Sequence, residues 1–211
     1  MTGEDDLERA DTKLLQDLDD GFVEASRRAG AWVACGPGCS ECCIGPFPIT
    51  RLDARRLRRG LSDLSRDDPE RASQILDRVL HAARALVDGY PGDAVCGRLS
   101  GDVETLDRFF EHRGSLPCPV LDPATGRCDL YAARPVSCRT YGPPLRFLGE
   151  IAPPCPLCFK EAPTAIVERC RFEPDPRGLE DAILSKMDVS PGDDWETLIP
   201  FALLPDKEKT A

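Results

Sequence analysis

Long apolar runs and aromatic residues are scarce in this chain of 211 residues, and each scarcity excludes some classes of protein. Only 6% of the residues are aromatic, while 30% are charged. No apolar run approaches the roughly 20 residues that a helix needs to span a bilayer, so we expect no membrane segment. The sequence also lacks a glycine-rich dinucleotide fingerprint, a phosphate-binding loop and a Ser-His-Asp arrangement, and it therefore indicates no particular substrate.

The first residues and the net charge exclude further classes. The start, MTGEDDLERADTKLL, is acidic and has neither the basic nor the apolar part of a secretory signal. We therefore expect a cytoplasmic protein, whose thiols are kept reduced. The net charge of −10 disfavours a nucleic-acid partner, because such a partner normally requires a basic face.

Apolar residues at helical spacing recur along the chain and predict a mainly α fold. The first helix has an apolar stripe with acidic residues between its members: Leu7, Leu14, Leu15, Leu18 and Phe22. Capping residues and glycines predict where the helices begin and end. The predicted helices cover 4–28, a short stretch after Thr50 that stops before Gly60, a longer stretch from Pro69 to Gly89, 100–112 and 178–186.

The segment 116–176 differs in character, since it holds twelve of the twenty prolines and six of the eleven cysteines. Proline removes backbone donors and interrupts helices and central strands, so regular ladders alone cannot hold this segment together. Bound metal would crosslink it in a reducing compartment. We therefore expect a metal-organised single domain with irregular, proline-rich cysteine-bound segments. Its predicted parts are an N-terminal amphipathic helix at 1–30, a cysteine-cluster metal-binding domain at 31–204 and a flexible tail at 205–211.

The cysteines favour metal binding over disulfides. Their number is odd, and the CxxC spacing occurs twice, at Cys39–Cys42 and at Cys155–Cys158. Two cysteines at this spacing can bind one centre, and thiolate sulfur suits zinc, cuprous copper and iron–sulfur clusters. Cys42 and Cys43 are adjacent, and neighbouring side chains tend to diverge. This pair therefore indicates several metals, a polynuclear cluster or one redox-active thiol.

The stretch CGPGCSECC at 35–43 also has the C-x3-C-x2-C spacing by which radical S-adenosylmethionine enzymes hold a 4Fe–4S cluster. Its context disfavours that interpretation. Glu41 stands where those enzymes usually have an aromatic residue, and consecutive helices are predicted to follow instead of alternating strands and helices. A structural zinc protein with closed four-cysteine sites and no chemistry is a third hypothesis.

Three stretches resemble the YkgJ-like CxxCxxCC cysteine-cluster family: Cys35-x3-Cys39-x2-Cys42-Cys43, ITRLDARRL and CPVLDPATGRCDLYAARPVSCRTYG. The resemblance covers 35–160 and implies zinc or iron chelation, in proteins often labelled Fe–S oxidoreductases. One relative, the flagellin lysine N-methylase, joins such a cluster to methyl transfer from S-adenosylmethionine. The implied metal ligands are Cys35, Cys39, Cys42, Cys43, Cys118, Cys128 and Cys138, with a later ligand among Cys155 and Cys158.

Several residues beside these cysteines have two interpretations. Arg134 and Arg139 flank Cys138 and are candidate cofactor-binding residues, because guanidinium groups compensate the negative charge of a thiolate cluster. An ordinary ion pair is the alternative for each. Tyr131 is more typical of a packed core aromatic than of a radical relay.

Four residues outside the family's cysteine pattern give weaker indications of a role. Cys96 and Cys170 are expected to be small buried side chains. His81 lies in a predicted helix as an ordinary surface or core residue, and His112 is a minor candidate ligand.

Metal binding is the function that these patterns favour. We expect a 4Fe–4S iron–sulfur cluster, with zinc as the alternative cofactor, and an unknown protein or small-molecule redox partner. Neither a nucleic acid nor a membrane is an expected partner. A role as an Fe–S oxidoreductase or an S-adenosylmethionine-dependent modifying enzyme stays open.

Overall fold

A computed structural model describes residues 3–36, 38–147, 149–187 and 195–205. Within these residues the fold is mainly helical, as the sequence predicts. The α-helices are α1 Gly3–Ala29, α2 Arg51–Asp67, α3 Pro69–Val87, α4 Val103–Arg113, α5 Val136–Thr140, α6 Thr164–Cys170, α7 Leu179–Leu184 and α8 Ile199–Leu203. Short 3-10 turns cover Gly30–Trp32, Glu41–Cys43 and Tyr131–Ala133.

The strands form antiparallel two-stranded ribbons: β1 Gly92–Asp93 with β2 Arg98–Leu99, β3 Leu121–Asp122 with β4 Arg127–Cys128, and β5 Leu145–Phe147 with β6 Glu150–Ala152. Each ribbon pairs strands that follow one another in the chain, so each closes a local hairpin. Among the helices of the described ranges, none is both long and apolar enough to cross a membrane.

The chain divides into two compact units, and neither is continuous in sequence. The first unit combines Met1–Pro37 with Val136–Ser190, and the second combines Gly38–Pro135 with Pro191–Ala211. The predicted parts, 1–30, 31–204 and 205–211, stay a prediction. Most of the predicted tail, 206–211, lies outside the described residues.

In the first unit, α1 packs against α5, α6 and α7. Its predicted apolar stripe is fully buried at Leu14 and Leu18, while the other members are half-buried. Gly30 follows the helix with a φ of +56°, a left-handed conformation that glycine adopts without strain, so the helix ends where the sequence predicts. The chain then leads directly to Cys35.

In the second unit, α2, α3 and α8 pack against one another. Their shared core includes Leu57 and Ile75, both fully buried, and the side chains of Cys118 and Cys128 pack against it. Val87, the last residue of α3, is 52% exposed. This core therefore supports the segment that carries two predicted ligands.

Helices α2 and α3 of this core each begin at a side-chain cap. The Thr50 hydroxyl oxygen accepts a hydrogen bond from the backbone N–H of Asp53 at 3.3 Å, at the start of α2. The Asp68 carboxylate accepts one from the backbone N–H of Arg71 at 3.0 Å, at the start of α3. The helices predicted at 100–112 and 178–186 also occur, as α4 and α7, with displaced ends.

The prediction that α2 stops before Gly60 is wrong, because the helix continues to Asp67. Glycine weakens a helix by roughly 1 kcal/mol relative to alanine, which made it a plausible end. Here tertiary packing requires it. A Cβ at position 60 would lie only 2.6 Å from the Ala133 Cβ, so the absent side chain lets α2 pack closely on the turn Tyr131–Ala133.

We expect Gly60→Ala to lower the free energy of unfolding by about 1 kcal/mol or more, although alanine is the better helix former, because the new methyl overlaps Ala133. The measurement is urea denaturation of the variant beside the wild type. The double variant Gly60→Ala/Ala133→Gly should recover most of the loss. Stabilisation by Gly60→Ala alone would contradict the close packing.

Candidate metal centre

None of the eleven cysteines, all within the described residues, forms a disulfide, and each unit holds its own set. The first unit contains Cys35, Cys138, Cys155, Cys158 and Cys170. The second unit contains Cys39, Cys42, Cys43, Cys96, Cys118 and Cys128. The motif CGPGCSECC is therefore divided, since its first cysteine belongs to one unit and its other three belong to the other.

In the second unit, the ribbon of β3 and β4, here called the cysteine ribbon, carries Cys128, and Cys118 lies just before β3. Cys128 pairs with Leu121, whose backbone N–H donates to the Cys118 carbonyl at 3.0 Å. Backbone N–H groups of Val120 and Leu121 donate to the Cys118 side chain, and the N–H of Leu130 donates to that of Cys128. N–H donors aimed at sulfur stabilise a thiolate, which is the form that binds metal.

Cys42 and Cys43 lie beside this ribbon. The backbone N–H of Cys118 donates to the Cys43 carbonyl at 2.7 Å, and an antiparallel bridge joins Ile44 to Pro117. The Cys42 and Cys43 side chains lie close enough to shift each other's pKa. Residues Glu41–Cys43 form a 3-10 turn.

Electrostatics in the second-unit set favour one thiolate among several protonated thiols. The hydrogen bond from Cys43 lowers the pKa of Cys42 to about 6, with help from the positive charge of Arg134. The same hydrogen bond, followed by burial, raises the pKa of Cys43. Burial raises the pKa of Cys118 to about 12 and also raises the pKa of Cys128. Metal must displace these protons, so binding strengthens as the pH rises.

Arg134 lies beside this set and contacts Tyr131, which is neither buried nor placed as the sequence predicts. Its Nε donates to the Tyr131 carbonyl at 3.1 Å, and its guanidinium carbon lies 3.6 Å from the centre of the Tyr131 ring. The tyrosine is 63% exposed, so the prediction of a packed core aromatic is wrong. The ring instead stacks on the cation, which holds the positive charge near Cys42 and Cys128.

Arg139, the other predicted cofactor-binding residue, lies in the first unit and forms an ion pair. Its Nη1 donates to both Asp19 carboxylate oxygens, at 3.0 and 2.9 Å, and its side chain is buried. This pair joins α5 to α1. Arg139 therefore forms the ion pair that was its alternative interpretation, whereas Arg134 places its positive charge near the thiols of Cys42 and Cys128.

Two arginines of α3 hold the segments of Cys118 and Cys128 in place. Their main partner is Asp129, a residue that the sequence patterns did not indicate. The Asp129 carboxylate is only 2% exposed and accepts from Arg71 Nε at 2.7 Å and from Arg78 Nη2 at 2.5 Å. Arg78 Nε also donates to the Pro119 carbonyl at 2.8 Å. Since Asp129 follows Cys128 and Pro119 follows Cys118, this network positions both candidate ligands.

We expect Asp129→Ala to lower the free energy of unfolding by about 2 kcal/mol and to weaken metal retention, because it leaves two arginines without their shared carboxylate. The two arginines are partly exposed, so the effect lies below that of a fully buried pair. The matched control is Asp63→Ala, which removes the exposed pair with Arg66 on α2. Equal effects of the two variants in thermal unfolding and metal analysis would refute this role.

The segment of Cys39 also reaches the ribbon. A Cβ on Gly126, at the turn between β3 and β4, would lie 3.3 Å from the Gly38 carbonyl. Cys39 itself is half-buried and follows Gly38 directly. The second unit thus brings Cys42, Cys43, Cys118 and Cys128 into one neighbourhood and places Cys39 on its border.

In the first unit, Cys35 and Cys158 come together from distant parts of the chain. Their sulfurs lie 3.9 Å apart. Cys155 and Cys158 are both buried, whereas Cys35 is exposed. Cys138 lies on α5.

Outside the family's cysteine pattern, the prediction for Cys170 is confirmed and the prediction for Cys96 is wrong. Cys170 is fully buried, as expected, and packs in one cluster with Cys155 and Cys158. Cys96 is exposed between β1 and β2, so its predicted burial is wrong; its thiol lies 3.8 Å from the Asp93 carbonyl. His112 is exposed, and its Nδ1 contacts the Arg108 carbonyl at 2.6 Å.

The donor chemistry of both sets fits a soft metal, since each offers several thiols with backbone N–H groups aimed at sulfur. Within residues 3–36, 38–147, 149–187 and 195–205, however, no three Cys, His, Asp or Glu side chains already surround a point where a metal ion would fit.

Comparison with known proteins agrees with this chemistry. The model of the CxxCxxCC family, described as "Putative zinc- or iron-chelating domain", matches residues 34–156, which is more than half of the chain. No curated protein and no solved structure shows significant similarity to the chain. The matched span includes the divided motif, the cysteine ribbon, Cys138 and Cys155. The chain belongs to the CxxCxxCC family of zinc- or iron-chelating domains.

Proposed function

We propose that this protein is a cytoplasmic metal-binding redox protein whose second unit holds a 4Fe–4S cluster. The observation that carries the proposal is the gathering of Cys42, Cys43, Cys118 and Cys128 beside the cationic Arg134. A cluster of this kind supplies one-electron transfer when it is bound. An unidentified protein or small-molecule redox partner would exchange the electron.

The number of thiols supports a polynuclear centre. With Cys39 on the border, the second unit offers five thiols in this region, more than one mononuclear ion uses. Adjacent Cys42 and Cys43 would then serve different iron atoms.

The charge of Arg134 supports the same centre. A cluster with four thiolates is anionic, and a nearby guanidinium stabilises it and raises its potential. The stacking of Arg134 on the Tyr131 ring holds that charge in place. Loss of this cation would make the cluster harder to reduce.

A structural zinc site is the second candidate for the second unit. The observation that favours it is the interaction between the Cys42 and Cys43 side chains, because two neighbouring thiols can bind a single ion. A radical S-adenosylmethionine mechanism has less support, since the motif leads into the consecutive helices α2 and α3.

The optical spectrum and metal content of anaerobically purified protein test the proposal. A broad brown absorbance in the visible range with iron and acid-labile sulfide would support the cluster, because thiolate-to-iron charge transfer absorbs there. Colourless protein that contains zinc and no iron would overturn the cluster in favour of the second candidate.

A further inference from the structure

Two cysteines of the first unit, Cys35 and Cys158, lie close enough for their sulfurs to react with each other. The sulfurs are 3.9 Å apart, although the residues are 123 positions apart in sequence. A disulfide bond places its sulfurs about 2.05 Å apart, so the two sulfurs need to approach by about 2 Å. Ordinary side-chain motion covers a distance of this size. The fold therefore brings together a pair of thiols that can be oxidised to a disulfide.

The two sulfurs differ in their access to solvent. Cys35 is exposed, whereas only 4% of Cys158 is exposed. A small oxidant can therefore reach the Cys35 sulfur, while burial shields the Cys158 sulfur. An accessible cysteine beside a second cysteine that resolves the first product is the usual arrangement of redox-sensing thiols. The pair thus combines an attacking thiol with a resolving thiol.

The backbone holds the two cysteine segments together. The N–H of Phe159 donates to the Trp32 carbonyl at 2.7 Å, which fastens the segment of Cys158 to the segment that leads to Cys35. On the other side of the pair, a Cβ on Gly142 would lie 2.9 Å from the Cys35 sulfur, so only glycine leaves room for that sulfur. The closeness of the two sulfurs is therefore a result of packing on both sides.

A backbone donor near the buried sulfur favours reversal of the oxidation. The N–H of Ala34 points to the Cys158 sulfur at 3.4 Å. A thiol that reduces a Cys35–Cys158 disulfide would attack the exposed Cys35 sulfur and expel Cys158 as a thiolate. A nearby N–H stabilises that anion, and a more stable thiolate leaves faster. This geometry favours a disulfide that can be reduced again.

We propose that Cys35 and Cys158 form a reversible redox site that exchanges with a low-molecular-weight disulfide. The Cys35 thiol loses its proton and attacks one sulfur of the small disulfide, which forms a mixed disulfide and releases the first small thiol. The Cys158 thiol then loses its proton and attacks the Cys35 sulfur, which forms the Cys35–Cys158 bond and releases the second small thiol. The two released thiols take up the two protons, and two electrons pass from the protein to the small disulfide.

This site would report the redox state of its surroundings. Both thiols stay reduced in a reducing compartment and are oxidised when small disulfides accumulate, as is typical of transient disulfides in redox-sensing proteins. The inference does not depend on the proposed cluster, because the four cysteines that carry that proposal belong to the second unit. Either proposal can fail without the other.

Cys155 is the competing partner for Cys158. The two share a turn, which the Cys158 N–H closes by donating to the Cys155 carbonyl at 2.8 Å. Both side chains are buried, at 3% and 4% exposure, so neither is accessible to a small oxidant. A Cys155–Cys158 bond would also join residues only three positions apart. It would hardly compact the denatured chain, whereas a bond between residues 123 positions apart compacts it strongly.

The test treats the full-length protein with oxidised glutathione and separates it by electrophoresis in denaturing, non-reducing gels. We expect a faster-migrating band, which dithiothreitol should remove. Cys35→Ser should lose this band, and its replacement disturbs little packing because the side chain is exposed. Cys155→Ala should retain the band. Cys96→Ser is the matched control, because it removes an exposed thiol of the second unit, and it should also retain the band.

Mass spectrometry of Cys158→Ser gives a second readout. This variant should accumulate one glutathione on Cys35, because the first exchange proceeds and the resolving thiol is missing. A wild-type protein that gives no faster band, or a band that persists in Cys35→Ser, would overturn the proposal. Loss of the band in Cys155→Ala with an unchanged circular dichroism spectrum would equally overturn it, since Cys155 would then be the partner.

Discussion

Removal of metal is expected to expose residues 116–176 to protease while α3 stays protected. The reason is the way in which each segment is held. Residues 116–176 contain twelve prolines, strands of two or three residues and helices of at most seven, so their backbone has few regular hydrogen bonds. Helix α3 has nineteen residues and buries Ile75 and Val79 in the core. Metal binding must therefore offset much of the conformational entropy of the cysteine-rich segment.

Trypsin makes this difference measurable, since both segments contain arginines. Arg127 and Arg146 are exposed in the cysteine-rich segment, and Arg84 is exposed on α3. After chelation under reducing conditions, cleavage at the first two should accelerate by about tenfold or more, with cleavage at Arg84 following later. Mass spectrometry of timed samples identifies the sites. Equal protection of the two segments with and without metal would show that metal does not organise this fold.

Replacement of a single thiol in the second unit is expected to remove its metal. Cys118→Ser deletes a sulfur that receives two backbone N–H groups, and Cys42→Ser deletes the thiol with the lowered pKa. Removing one ligand leaves the centre under-coordinated, and even changes beyond the ligands commonly weaken metal binding by about tenfold or more. We expect Cys39→Ser and Cys138→Ser to weaken metal binding as well.

Cys96→Ser is the matched control for this series, because Cys96 belongs to the same unit and its exposed thiol lies outside the candidate ligand set. Cys170→Ser is a poorer control, since that side chain is fully buried and its replacement disturbs packing. Metal content after dialysis against a competing chelator, with circular dichroism to verify folding, decides the comparison. Loss of metal in Cys96→Ser as readily as in Cys118→Ser would show that this ligand set is wrong.

Local patterns were sufficient to predict most helices. The helix α1 follows from its apolar stripe, and α2 and α3 begin at Thr50 and Asp68 because a capping side chain acts on backbone only three residues away. The family also follows from sequence alone, because it is defined by the spacing of cysteines, and the matching family model covers 34–156. Such features depend on neighbours in the chain.

Tertiary structure decided what depends on distant residues. Gly60 does not end α2, because Ala133 packs where its side chain would be. Asp129 is buried because two arginines of α3, more than 50 positions away in sequence, reach it. A helix end is what glycine favours at position 60, and a partner elsewhere in the unit overrides that preference.

The amino-acid sequence by itself determined that this protein has a mainly helical fold and a cysteine pattern for zinc or iron. Only the tertiary structure decided how the thiols are shared. Cys35 and Cys39 are four positions apart, yet they belong to different units, because the chain leaves the first unit after 37 and returns to it at 136. Spacing along the chain predicts which sulfurs can share a turn. The path of the backbone in three dimensions determines which sulfurs lie together.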